Sequence, residues 1–218
     1  MTNTTDFQLD RNEVLPQLIQ EPDKFLIIAG LAGTARDIAH LCGVGSSNYY
    51  AMAGAMGGAV SIGLGLALAQ PERRILVCTG DGELLMNIGA LATVSVMKPV
   101  NLGILCVDNG HYGETGNQQS HTGQCTNLAT MAHGAGIPKV FSVSKEEDIT
   151  VARNIIDESM ETFFVHLKVN DGPPAKIKRS LDAPVSYTHL RAHETREDRV
   201  LRGVVVKKKG GGGGGGGG

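Results

Sequence analysis

Two short stretches of the sequence carry residue types able to hold a divalent cation and a phosphate together. The first is Thr79-Gly80-Asp81-Gly82-Glu83; the second is Val107-Asp108-Asn109-Gly110-His111-Tyr112-Gly113. Asp81 offers a hard anionic oxygen and Asn109 a neutral one. Magnesium takes oxygen ligands in an octahedron and shares them with bound phosphates. The glycines let backbone amides approach a ligand closely, and a helix starting near Leu84 would offer free N–H groups to an anion. A lone Gly-Asp-Gly is an ordinary turn signal. Here 26 residues separate Gly82 from Asn109. That is one helix plus one strand, which returns the chain to the same edge of a sheet.

The elements that would position these stretches alternate along the chain. Helices are expected over residues 11–20, 34–41 with Thr34 as N-cap, 57–69, 84–97, 127–135 and 146–161. Strands are expected at 25–29, 74–79, 102–107, 140–143 and 163–169. Unbroken apolar strands alternating with helices imply an α/β fold: a mostly parallel sheet with helices on both faces, three layers in all. Ligands of such sheets gather at the carboxyl ends of the strands.

The chain has 218 residues, 41% hydrophobic and 19% charged, enough for one domain with a substantial core. Tryptophan is absent, so aliphatic residues must fill that core. No stretch reaches the length of a membrane span, and the polar start lacks a signal-peptide pattern, so the expected location is cytoplasmic. Cys42, Cys78, Cys106 and Cys125 show no metal-ligand spacing, and Cys78 and Cys106 lie inside apolar runs. From about Val185 the apolar periodicity stops. Val185–Thr195 resembles one reading frame of a sequencing adapter, followed by Lys207-Lys208-Lys209 and Gly210 to Gly218. The reading is therefore a domain over 1–184 and a read-through or unstructured tail over 185–218. The tail carries a net charge of +4, leaving −6 on residues 1–184 against −2 for the whole chain. The basic cluster falls in that tail, so no nucleic-acid partner is expected.

The stretch GDGELLMNIGALATVSVMKPVNLGILCVDN, with Gly54-Ala55-Met56-Gly57 and Tyr112-Gly113-Glu114-Thr115-Gly116, resembles the thiamine diphosphate signature. Over residues 20–170 the chain is similar to the diphosphate-binding domain of the sulfopyruvate and phosphonopyruvate decarboxylase group. The resemblance implies thiamine diphosphate and Mg²⁺ as cofactors. It makes Asp81, Asn109 and the backbone carbonyl of His111 the metal ligands. Gly82 and Glu83 would meet the diphosphate through their amides. Met56 would hold the cofactor bent, with Gly57, Gly80, Tyr112 and Gly113 completing the cofactor-binding set. The substrate would be a small 2-oxoacid. The glutamate that activates the cofactor belongs, in this family, to a pyrimidine-binding domain. A separate alpha-type subunit carrying it is therefore the expected partner.

Two features depart from the family pattern. Glu83 sets a carboxylate beside the diphosphate, so its side chain should turn away unless the metal offsets the repulsion. Thr115-Gly116-Asn117-Gln118 stands where the family often has Thr-Gly-Gly-Gln, on a loop expected to border the substrate. Several readings stay open from sequence. Met56 is as compatible with a core methionine, and His121 with a solvated loop residue as with a catalytic acid–base. Glu114 reads as solvated, His133 and His166 as structural. Alternatives for the whole are a carboligase of the acetolactate synthase or transketolase type and a non-catalytic, Rossmann-like nucleotide- or phosphate-binding module. Against the last, Gly43-Val44-Gly45-Ser46-Ser47-Asn48 lacks the final glycine of the dinucleotide fingerprint.

Overall fold

A computed structural model of the chain describes residues 7–43, 45–52 and 54–177. The expected tail at 185–218 lies outside these described residues. Six strands form one parallel sheet: β1 (Phe25–Ala29), β2 (Tyr49–Ala51), β3 (Arg74–Gly80), β4 (Leu102–Asp108), β7 (Lys139–Val143) and β8 (Phe163–Lys168), in the order β2-β1-β3-β4-β8-β7. A separate antiparallel hairpin pairs β5 (His111–Tyr112) with β6 (Gln118–Gln119).

Alternate residues of each central strand feed two different cores. Leu26 and Ile28, Ile75 and Val77, and Ile104 and Cys106 point into one. It is closed by Val60 and Leu64 of α3 (Ala59–Ala69), Leu91 and Val94 of α5 (Ala90–Met97), and Leu128 and Ala132 of α6 (Leu128–Gly134). Ile27, Leu76, Cys78 and Leu105 point into the other. Val14 and Leu18 of α1 (Arg11–Leu18), Ile38 of α2 (Ala32–Cys42), and Ile149, Ala152 and Ile156 of α7 (Glu146–Glu158) close that side. Two cores on one sheet are what three layers require, and burial on both faces explains why the strands read as unbroken apolar runs. Close packing on the first face depends on Gly63: a Cβ there would stand 2.1 Å from Val77 Cγ2.

The structure departs from the sequence expectations at three places that matter for the site. The helix expected over 84–97 is two helices, α4 (Asp81–Met86) and α5, broken at Asn87–Gly89. The break has a visible anchor, since Asn87 Nδ2 donates to Gly57 O and Ser61 Oγ. Helix α4 also opens earlier than expected, at Asp81 with Gly80 as N-cap, so the Gly-Asp-Gly motif forms its first turn. Helix α2 starts at Ala32 rather than Thr34; Thr34 is buried inside it and Leu31 is the cap residue. The short strand β2 and the β5–β6 hairpin carry too few residues for a periodic signal and were not anticipated.

Candidate cofactor site

The chain adds strands in one direction from β1 to β2, then in the other from β1 to β3 and β4. The crevice beyond the carboxyl ends of β1 and β3 is thus a topological switch point. A cavity of about 730 Å³ lies there. Three segments that follow strands wall it: Leu31–Thr34 after β1, Gly80–Glu83 after β3, and Asn109 with His111–Thr115 after β4. Residues 171–174 close a further side.

Each wall has a local cause. Beyond β4 the chain makes two successive Asx turns, Gly110 N–H donating to Asp108 Oδ1 at 2.9 Å and His111 N–H to Asn109 Oδ1 at 3.3 Å. Gly110 takes φ +66°, a left-handed backbone that glycine adopts without strain. The β5–β6 hairpin then turns the chain back, and Ser120 N–H donates to Gly110 O at 2.7 Å. Tyr112 packs so closely on the first turn of α4 that a Cβ at Gly82 would lie 2.3 Å from its ring. Glycine at that position is what allows ring and helix backbone to meet.

Asp81 is 3% exposed and lines the cavity. Its Oδ2 accepts from Ser120 Oγ at 2.5 Å and lies 3.0 Å from Thr122 Oγ1. Burial, then the neighbouring charge of Asp108, pushes its carboxyl up to about 6, while the hydroxyls and the Gly82 amide act the other way. Asp108 is fully buried; its Oδ1 accepts from Thr122 Oγ1 at 2.7 Å and its Oδ2 meets His166 Nε2 at 2.7 Å. Glu83 turns toward the end of β1: its Oε2 accepts from Leu31 N–H at 3.0 Å and Thr79 Oγ1 at 3.1 Å. Burial raises its pKa. Gly30 makes room for this carboxylate, since a Cβ there would stand 1.8 Å from Oε2.

Of the residues singled out from sequence, Met56, Gly80, Asp81, Gly82, Glu83, Asn109, His111, Tyr112 and Gly113 all line this one cavity. Met56 is 43% exposed, so it is not a core methionine of this chain. Two residues fall outside the lining. Gly57, at φ +87°, packs against Met86 and Asn87. His121 is exposed, with Nδ1 3.2 Å from the Tyr112 hydroxyl. Glu114 is not simply solvated: it pairs with Arg36 at 2.6 Å, joining the hairpin loop to α2. His166 is buried in β8, as a structural histidine would be, but its partner is Asp108 beside the site. Sequence reasoning missed the opening of α2, Arg36, Asp108, Ser120 and Thr122. The Thr34-Ala35-Arg36 stretch at the start of α2 offered no distinctive signal, and single hydroxyls in a polar loop offered none.

The donors suit a cation shared with a ligand better than a site complete in itself. Among the described residues no three His, Cys, Asp or Glu side chains cluster to hold a metal. Asp81, the Asn109 amide and the His111 carbonyl could supply hard oxygens only, the donor type that magnesium and calcium take. The residues that open α4 and α2 line the same space.

The chain matches the family described as thiamine pyrophosphate enzyme, C-terminal TPP binding domain, over residues 32–167. It belongs to that family. Among curated relatives of this thiamine pyrophosphate enzyme domain is the sulfopyruvate decarboxylase subunit beta of Methanocaldococcus jannaschii. It is 46% identical over 111 residues, covering 51% of this chain and 58% of that protein. The subunit of the same name from Methanococcus maripaludis is 32% identical over 152 residues, 70% of this chain and 80% of that one. Phosphonopyruvate decarboxylase of Streptomyces hygroscopicus is 31% identical over 197 residues, covering 90% of this chain and 47% of that protein. The chain thus spans about half the length of several relatives, 58% of the first and 41% of a sulfopyruvate decarboxylase from Methanosarcina acetivorans. Benzoylformate decarboxylase from Polynucleobacter necessarius shares the fold, with a TM-score of 0.62 at 16% identity over 80% of this chain and 36% of that one. Among the described residues no helix is long and apolar enough to cross a membrane.

Proposed function

We propose that this chain is the diphosphate- and magnesium-holding half of a thiamine diphosphate-dependent decarboxylase acting on a small 2-oxoacid. The observation that carries the reading is the convergence of Asp81, Asn109 and His111 on one cavity with the amide-bearing first turn of α4. In this reading the Asp81 carboxylate, the Asn109 amide oxygen and the His111 carbonyl hold the metal. The backbone amides of Gly82 and Glu83 hold phosphate oxygens. The turned-away Glu83 side chain removes the clash that a carboxylate would otherwise have with them. Bound there, thiamine diphosphate would supply the nucleophilic carbon for the 2-oxo group and the electron sink for loss of CO2.

The chain would act with a partner carrying the pyrimidine-binding domain. Two relatives named as a beta subunit favour a divided enzyme. So does the surface: Met56, which lines the cavity, is 43% exposed, and Met86, at the end of the helix whose first turn walls it, is 66% exposed. Apolar area of that kind commonly marks a subunit contact.

The test is an assay of 2-oxoacid decarboxylation with sulfopyruvate, phosphonopyruvate and pyruvate, using this chain with and without the pyrimidine-domain subunit. The expected result is CO2 release only from the combined subunits, with an aldehyde as co-product. Robust turnover by the chain alone would remove the partner from the reading. An acyloin product would replace decarboxylation with carboligation.

A further inference from the structure

Four buried side chains behind the cavity form a continuous polar chain that the cofactor-binding set does not include. Ser120 and His166 are fully buried, Asp108 is too, and Thr122 is 2% exposed. Ser120 Oγ contacts Thr122 Oγ1 at 2.9 Å, and both hydroxyls reach the same oxygen of Asp81, Oδ2. Neither contacts Oδ1. Thr122 has one proton for two carboxylates, and its shorter contact, 2.7 Å, is to Asp108 Oδ1. Asp108 is in turn fixed by Gly110 N–H and by His166 Nε2. A carboxylate only accepts, so Nε2 carries the proton; Nδ1 is then a buried atom with no partner among the described residues. Polar groups so fully removed from water are costly unless they fix something. What they fix here is the orientation of Asp81.

We propose that Ser120 and Thr122 are positioning residues for the divalent cation: they tie down Asp81 Oδ2 so that Oδ1 is the oxygen presented to the metal. The inference rests on the metal reading of Asp81 given above and adds to it how that ligand is aimed. The hairpin explains how two residues about forty positions away arrive beneath Asp81. The β5–β6 pairing folds residues 111–119 back on themselves, and the Ser120–Gly110 backbone bond delivers both hydroxyls to the end of β4. The anchor is Asp108 with His166 of the neighbouring strand β8, so the aim of Asp81 is referred to the sheet itself rather than to a surface loop.

The experiment is a titration with Mn²⁺, read by the electron paramagnetic resonance of the free ion, in the presence of thiamine diphosphate on the full chain. Wild type is compared with Thr122→Val, which keeps the shape and removes the hydroxyl, with Ser120→Ala, and with Thr122→Ser. Supporting residues of metal ligands typically contribute about 10- to 100-fold in metal affinity. Thr122→Val and Ser120→Ala should therefore weaken Mn²⁺ uptake about tenfold or more, while Thr122→Ser stays within about twofold of wild type. A role in folding alone would lower the melting temperature without this rescue pattern. Should Thr122→Val fail to fold, Ser120→Ala and Thr122→Ser still decide the matter. Unchanged Mn²⁺ affinity in the folded hydroxyl-deletion variants overturns the positioning role while leaving the site reading intact. A wild-type chain that takes up no Mn²⁺ with thiamine diphosphate overturns the site reading itself, and this inference with it.

Discussion

Two buried aspartates, Asp37 within α2 and Asp81 at the start of α4, meet very different partners. Asp37, in α2, is 6% exposed and is met by the Arg11 guanidinium, Nε at 2.7 Å and a second nitrogen at 2.5 Å; its other oxygen accepts from Ala175 N–H. Asp81, at 3% exposure, meets two hydroxyls and a backbone amide, none of them cationic. A buried carboxylate is tolerated when it is paired. Asp37 is met by a counter-charge from α1, and the pair ties that helix to α2. Asp81 lines the cavity without one, and burial, then the charge of Asp108, pushes its carboxyl up to about 6. The first is a structural carboxylate; the second is a buried cavity carboxylate with a raised pKa, which the proposed reading makes a metal ligand.

The sharpest way to break that contrast is to remove each carboxylate. Asp37→Ala leaves the Arg11 guanidinium buried and unpaired, which should cost about 3–5 kcal/mol of stability, read by denaturant unfolding. Asp81→Asn should do the reverse. Metal-dependent cofactor binding should fall by more than about 100-fold, beyond the loss expected of a supporting residue. The metal-free protein should melt no lower than wild type. If Asp81→Asn proved as destabilising as Asp37→Ala, the distinction between the two carboxylates would collapse.

Acidity sharpens the same contrast. The pKa of Asp81 is raised above its ordinary value, and burial raises Glu83 as well. Between the ordinary carboxylate range and about pH 6, the folded chain therefore holds protons that the unfolded chain has released. Stability of the metal-free chain should accordingly fall as pH rises through that window, by on the order of 1 kcal/mol per unit of upward displacement. The dependence should shrink in Asp81→Asn. With Mg²⁺ and thiamine diphosphate present the slope should reverse, because the metal requires the ionised form. Thermal melts at pH 5 and 7 with and without the ligands measure both.

The smallest effect concerns the other wall. Ala32, the first residue of α2, has φ +61°, a left-handed backbone that costs a non-glycine residue about 1–2 kcal/mol. Ala32→Gly should relieve it, offset by the greater freedom of glycine when unfolded, for a net gain of up to about 1 kcal/mol. A clear loss of stability would mean that the Cβ of Ala32 makes a contact the cavity wall needs.

What could be read from the sequence divides along the same line as the physics. The parallel sheet, its buried strands and the pairing of Asp81 with Asn109 were legible because each depends on runs of apolar residues or on a spacing of one helix plus one strand. The split between α4 and α5 was not legible. Leu84–Met97 keeps its apolar residues through the break, where Asn87 and Gly89 weaken the helix and the bonds of Asn87 to Gly57 and Ser61 anchor the interruption. The Arg11–Asp37 pair, 26 residues apart on two helices, has no local signature. Nor do Ser120 and Thr122, whose role depends on a hairpin of two-residue strands too short to show alternation. Sequence leaves open whether the Glu83 carboxylate turns away or has its charge offset by a metal; in the structure it bonds to Leu31 N–H and Thr79 Oγ1, a tertiary arrangement with no local signature.

In the proposed reading this chain itself holds the diphosphate end of the cofactor through a metal on Asp81 and Asn109. Titration calorimetry of thiamine diphosphate into the purified chain, with and without Mg²⁺, tests it most directly, with ATP and NAD as comparison ligands. The account predicts one saturable site for thiamine diphosphate that requires Mg²⁺ and disappears in Asn109→Ala, with no comparable heat from ATP or NAD. Uptake that is indifferent to Mg²⁺, or a preference for either nucleotide, would contradict it.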